Sequence, residues 1–142
     1  MIRSFCVNYC DDIRSELGNK ISLIGIYGAD LLLPELPAVL PKLCIYAQVY
    51  GELETPLDGD VEVRVLLDDD VIASSISQPK STNLLPRHFV KMVTHIILSP
   101  FSVEKESILR VRLYHEGKEY RASSLRIKSV SSSSESSPKD AE

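Results

Sequence analysis

The chain has little of what usually carries chemistry. It contains no tryptophan, and its only cysteines are Cys6, Cys10 and Cys44. An odd count without framework spacing argues against a secreted disulfide scaffold. Cys6-x-x-x-Cys10 has no second pair to complete a four-ligand zinc site, so the three thiols read as small buried hydrophobes. The histidines are His88, His95 and His115. His88 and His95 fall on opposite faces of one expected strand and His115 sits at a turn, so they share no metal. There is no Gly-x-Ser-x-Gly elbow, no phosphate loop and no His-Glu-x-x-His helix. These absences point to a protein that is not an enzyme and needs no cofactor. A triad assembled in space from distant residues stays open as an alternative. The apolar runs are too short to span a membrane. The opening MIRSFCVNYCDD lacks the apolar core of a signal peptide, so a cytoplasmic location is expected.

What the chain does have is an ordinary globular composition. With 44% hydrophobic and 25% charged residues over 142 positions, it can bury one core but not two. Its charge is unevenly spread: the net is −8 over residues 1–79, +6 over 80–128 and −2 over 129–142. Such a split means either pairing across a sheet or two electrostatically distinct surfaces. The stretch SSSSESSPKDAE from Ser131 has almost nothing apolar to anchor it. The division expected is therefore a folded domain over 1–128 and a disordered, Ser-rich acidic tail over 129–142.

The remainder alternates as strands do. Ile2–Tyr9 sets Phe5, Val7 and Tyr9 against Ser4, Cys6 and Asn8. Ile21–Tyr27 is apolar on both sides, as a strand covered on both faces would be. Leu43–Tyr50 turns Leu43, Ile45, Ala47 and Val49 inward and Tyr46, Gln48 and Tyr50 outward. Val61–Leu67, Val71–Ile76, Phe89–Leu98, Leu109–Leu113 and Tyr120–Lys128 complete eight segments, with Asp68-Asp69-Asp70 as a hairpin turn. The fold class expected is all-β: an antiparallel β-sandwich of about 7–8 strands, immunoglobulin-like or C2-like. Cys10–Leu17 reads differently, as a helical turn or loop capped by Asp11 or Asp12 and stopped by Gly18.

The last hairpin can be built in register. Glu116-Gly117 suits a two-residue turn with Gly at positive φ. His115 then faces Lys118, Tyr114 faces Glu119, Leu113 faces Tyr120, Arg112 faces Arg121 and Val111 faces Ala122. Leu109, Val111, Leu113, Tyr120 and Ala122 point into the core. Because Leu125 and Ile127 are odd-numbered, one extra residue is needed, and a bulge is expected at Ser123-Ser124.

Three regions are candidate contact sites. The outward face of this hairpin carries Arg110, Arg112, Tyr114, Arg121 and Arg126, together with Lys128. Arg112 opposite Arg121 costs stability unless a carboxylate such as Glu62 or Glu119, or an anionic partner, neutralises it. The overall acidity and the scarcity of interleaved aromatics argue against nucleic acid as that partner. The connector Leu31–Leu40, with Pro34 and Pro37, is greasy for a loop. Leu32, Leu33 and Leu36 either plug the sandwich or form an exposed docking patch. The third region is Asp11, Asp12, Arg14 and Glu16. The carboxylates of Asp11-Asp12, Asp58-Gly59-Asp60 and Asp68-Asp69-Asp70 could in principle hold calcium at one end of a sandwich, although Asp is also a routine turn residue.

Cys10–Glu16 (Cys-Asp-Asp-Ile-Arg-x-Glu), Gly18–Lys20 (Gly-Asn-Lys), Ser22–Tyr27 (Ser-Leu-Ile-Gly-Ile-Tyr) and Leu40–Cys44 (Leu-Pro-Lys-Leu-Cys) form a pattern that resembles a family of small single-domain bacterial and phage β proteins. The resemblance covers about the first third of the chain. It implies a compact β domain and supplies no catalytic residues. Together these readings point to a non-enzymatic binding or accessory protein, encoded by a phage or other mobile element, that works through a protein partner or self-association. A calcium- or small-ligand-dependent module using the Asp-rich loops, and an enzyme with a spatially assembled site, are the alternatives.

Overall fold

The computed structural model describes residues 2–52, 57–78 and 90–130. Twelve strands lie among them: β1 (Ile2–Glu16), β2 (Lys20–Ile26), β3 (Asp30–Leu33), β4 (Ala38–Leu40), β5 (Leu43–Gly51), β6 (Val61–Leu67), β7 (Asp70–Ser77), β8 (Val90–Leu98), β9 (Phe101–Val103), β10 (Ser107–His115), β11 (Lys118–Arg121) and β12 (Leu125–Ser129). They form a four-stranded sheet in the order β2-β1-β5-β8, which we call sheet A, and a second sheet in the order β3-β12-β10-β6-β7 with β11 beside β10, sheet B. A two-stranded ribbon, β4-β9, is separate.

The alternation read from the sequence is the reason the sheets pack. Phe5, Val7, Tyr9, Ile45, Ala47 and Val49 of sheet A share one core with Val61, Val63, Val65, Leu109, Val111, Leu113, Leu125 and Ile127 of sheet B. Each large side chain fully withdrawn from water there contributes about 1.5–3 kcal/mol. Tyr9 also ties the layers by donating from its hydroxyl to the Ser123 carbonyl at 2.8 Å. Ser123 Oγ donates back to the Val7 carbonyl at 3.3 Å.

The all-β sandwich expected from the sequence is what forms, with twelve strands rather than seven or eight. β3, β4 and β9 are only three or four residues long, too short to show a period. The pairing of β3 with β12 is parallel, an exception in an otherwise antiparallel molecule. The β10–β11 register is the one expected, from His115 opposite Lys118 to Arg112 opposite Arg121. Glu116 and Gly117 both adopt positive φ, 49° and 74°, as a type I′ turn requires. The change of parity after Ala122 falls in residues 122–124, which separate β11 from β12. Phe89, His88 and the tail from Ser131 lie outside the described residues. Ser129 belongs to β12 and is buried, one residue beyond the expected end of the domain.

Two expectations are corrected. Cys10–Leu17 is neither helical turn nor loop. β1 continues straight through Glu16, pairing with β2 from Cys10 opposite Ile26 to Glu16 opposite Lys20. Gly18 and Asn19, at φ 84° and 57°, turn a hairpin instead of stopping a helix. An Asp pair followed by Gly-Asn serves either purpose locally, and the ladder available from β2 decides. Ile21–Tyr27 is also not covered on both faces: β2 is the outermost strand of sheet A, and Ile24 and Ile26 are 39% and 56% exposed.

Candidate functional site

The outward face of sheet B gathers Arg110, Arg112, Tyr114, Arg121 and Arg126 as the sequence indicated. It adds Arg64, which lies opposite Arg112 on β6. Three guanidinium groups therefore stand in one row across β6, β10 and β11. The neighbouring row is Glu62, Tyr114 and Glu119, and it neutralises the first. Glu119 Oε1 lies 3.2 Å from Arg112 Nε and 3.1 Å from Arg121 Nε. Glu62 takes two hydrogen bonds from Arg64, at 2.7 and 3.0 Å, and the hydrogen bond to Arg64 holds its carboxyl below the usual range. The Arg64 guanidinium sits 4.3 Å from the centre of the Tyr114 ring. Arg110 donates to the Asp68 carbonyl at 3.3 Å, and Arg126 pairs with Asp30 at 2.7 Å. The like-charge opposition at Arg112 and Arg121 is thus resolved inside the fold.

Asp11, Asp12, Arg14 and Glu16 lie on the arm made by β1 and β2, split between its faces. Asp12 accepts from Lys42 Nζ at 2.6 Å and Arg14 Nε at 3.1 Å, and these bonds, Lys42 foremost, hold its carboxyl below the usual range. Asp11 points to the other side, where it accepts from the Tyr27 hydroxyl at 2.6 Å and lies over Gly25, whose φ is +68°. In the turn between β6 and β7, Asp68 Oδ1 accepts from the Ile108 amide at 3.0 Å. Among the described residues no three His, Cys, Asp or Glu side chains are grouped so as to hold a metal ion. The side chains of Asp11, Asp12 and Asp68 are spent on a tyrosine hydroxyl, an ion pair and a turn, in that order.

The greasy connector divides. Leu33 is buried with Leu31, Leu36 packs against the core, and Leu32 is 51% exposed. Leu33 and Leu36 are therefore plug, and Leu32 and Val39 face solvent. His115 Nε2 bonds the Asp58 carbonyl, fastening the loop before β6. His95 lies against Tyr46, ring centroids 5.2 Å apart. No helix among the described residues is long and apolar enough to cross a membrane.

The surface missed by sequence reasoning is the outer face of sheet A. Cross-strand pairing lays down four rows: Ile26, Cys10, Cys44 and Ile97; Asn8, Tyr46 and His95; Cys6, Gln48 and Val93; Ser4, Tyr50 and Val90. None of these paired residues is an Asp, Glu, Lys or Arg; Arg3 and Lys91 fall at the register shifts beside the last row. Ile26, Ile97, Val93 and Val90 are all exposed, while Cys10 and Cys44 are buried between the two isoleucines of their row. Burial, then the neighbouring Cys44, pushes the Cys10 thiol up to about 11. Along β5, Tyr50 OH donates to Gln48 Oε1 at 3.1 Å and Gln48 Nε2 donates to Tyr46 OH at 3.4 Å, which fixes the half-exposed rings. The signal was present in the sequence, since the alternate positions Ser4, Cys6, Asn8 and Cys10 of β1, Cys44, Tyr46, Gln48 and Tyr50 of β5, and Val93, His95 and Ile97 of β8 are uncharged one after another. It becomes a surface only once those strands are known to be neighbours. No protein-family model matches the chain, and no curated protein matches it.

Proposed function

We propose that this protein is a non-enzymatic binding module that works through protein–protein contacts made by the outer face of sheet A. The observation that carries the reading is the contrast between the two outer faces. On sheet B every arginine named above has a partner within the fold, and on sheet A four successive rows offer exposed aliphatic and tyrosyl side chains with no formal charge. Depletion of charge with enrichment of tyrosine is the composition of an interface core, and a contiguous exposed patch of that kind needs a reason. The free thiols Cys6, Cys10 and Cys44 suit the reducing cytoplasm.

The test is affinity capture from the source cells with three baits: wild type, Val93→Glu and Arg121→Glu. A partner held by wild type and Arg121→Glu and lost with Val93→Glu supports the reading. A partner lost with Arg121→Glu and retained by Val93→Glu moves the contact to sheet B and overturns it.

A further inference from the structure

Cys10 and Cys44 are Cα partners across β1 and β5, and both thiols are free. We propose that they are a redox pair: under oxidation by a peroxide they close into a cross-strand disulfide that staples β1 to β5. This goes beyond the reading above, because it concerns a covalent bond within the chain and not what the outer face of sheet A holds.

Register supplies the geometry. Directly opposed residues of an antiparallel pair share a face, with Cα atoms about 4.5–5.5 Å apart. All of that range lies inside the roughly 4.4–6.8 Å that a disulfide spans. The Cys44 thiol also leans the right way. Its Sγ donates to the Asp11 carbonyl at 3.7 Å, beside Cys10 on β1. Of the charges that act on the Cys10 thiol, Cys44 has the largest effect, as a close neighbour must. Opposed Cβ atoms stand about 4.5–5.5 Å apart and a disulfide needs about 3.5–4.5 Å, so closure draws the two strands slightly together. A bond made under that tension is the more easily reduced, which suits a reversible staple.

The position gives the staple its effect. Cys10 and Cys44 are the last pair of the β1–β5 ladder. Beyond them β1 runs on to Glu16 paired with β2, so the arm leaves the sandwich at this rung. The ion pair of Asp12 with Lys42 is a noncovalent tie at the same place. The residues that the bond would enclose, 11–43, carry β2 of sheet A, β3 of sheet B and β4 of the ribbon. Closing that loop removes freedom from the unfolded chain and so stabilises the fold.

The oxidation balances. One thiolate attacks an oxygen of hydrogen peroxide, the O–O bond breaks, and a sulfenic acid forms as hydroxide leaves. The second thiolate attacks that sulfur and expels its hydroxide. Two thiols and one peroxide give one disulfide and two waters, and the two electrons lost by sulfur are taken up by the peroxide oxygens. Burial raises both thiols, so the pair reacts slowly at neutral pH. It stays open in a reducing compartment and closes under sustained oxidation.

A Cys6→Ser protein tests the proposal, since it removes the exposed thiol and leaves the pair. The folded protein is treated with hydrogen peroxide at pH ~9, where more thiolate is present, and analysed by mass spectrometry without reduction. The expected product is a monomer short of two hydrogens in which the Cys10 and Cys44 peptides are joined. Its melting temperature is expected to exceed that of the reduced protein, and a thiol reductant is expected to reverse both changes. Cys44→Ser added to Cys6→Ser is expected to give no link within the chain and no rise. Val93→Glu added to Cys6→Ser is expected to close as readily, so failure here and failure of the face reading are separable. Recovery of both thiols from the folded protein, free or as sulfinic acids, overturns the proposal. So does a link that forms only after unfolding, or one that leaves the melting temperature unchanged.

Discussion

Arg112 stands directly opposite Arg121 across the β10–β11 hairpin, and a single carboxylate oxygen of Glu119 holds both guanidinium groups, at 3.2 and 3.1 Å. The Arg112 side chain is only 14% exposed, so its charge depends on that neighbour. Glu119→Gln is expected to lower stability by about 1 kcal/mol in chemical denaturation. The loss should shrink in high salt and in an Arg121→Gln background, where the opposition is already gone. Equal losses in both backgrounds would mean that Glu119 acts through something other than this pair.

Gly25 is required by two independent constraints. Its φ is +68°, and a Cβ there would collide with the Asp11 carboxylate. Gly25→Ala is expected to cost about 2 kcal/mol and to displace Asp11 from the Tyr27 hydroxyl. A change in the Tyr27 ring and hydroxyl signals by NMR checks the second effect separately from the melting temperature.

The thiols should divide by exposure. Cys6 is exposed and Cys10 and Cys44 are buried. Burial raises both buried thiols, Cys10 to about 11. Because the thiolate is the reactive form, an alkylating reagent at neutral pH is expected to label Cys6 rapidly and the other two only after unfolding. Mass spectrometry of the labelled peptides gives the answer, and rapid labelling of Cys10 in the native protein would contradict it.

Alkali should destabilise the fold through two tyrosines. Tyr27 is pushed up to about 12 by burial and then by its bond to Asp11, and Tyr9 is raised further by burial. Both folded values lie above the unfolded value of 10.0, so the native state holds protons that the unfolded state releases. Their contribution is complete below pH ~10 and is lost as pH rises towards ~12. Ultraviolet titration is expected to show two phenols that ionise only well above pH ~10 or together with unfolding. Asp11→Asn should bring Tyr27 down only in part, since burial is the larger cause.

The parts of the fold that were legible in the sequence are those where alternation and turn chemistry agree. β5 and β6 each turn every second residue into the core, and a one-residue slip would reverse that face. Glu116-Gly117 sets the β10–β11 register by itself. The misread segments are those where a local signal has two meanings. Asp11-Asp12 with Gly18-Asn19 serves as helix cap and stop or as strand and hairpin turn. The two-sided apolar run at Ile21–Ile26 serves as a central strand or an uncovered edge. The outer face of sheet A was not legible because it exists only through non-local pairing: Asn8, Tyr46 and His95 are far apart in the chain and become one row when β1, β5 and β8 assemble. The arginines of sheet B drew attention in the sequence by their number, and the carboxylates named there as neutralisers, Glu62 and Glu119, are the ones that pair with Arg64, Arg112 and Arg121.

The most direct test of the account is site-specific photo-crosslinking in the source cells, with a benzophenone amino acid placed at position 93 on the outer face of sheet A or at position 121 on that of sheet B. The account predicts a discrete protein adduct from position 93 and none from position 121. An adduct from 121 with none from 93 would contradict it.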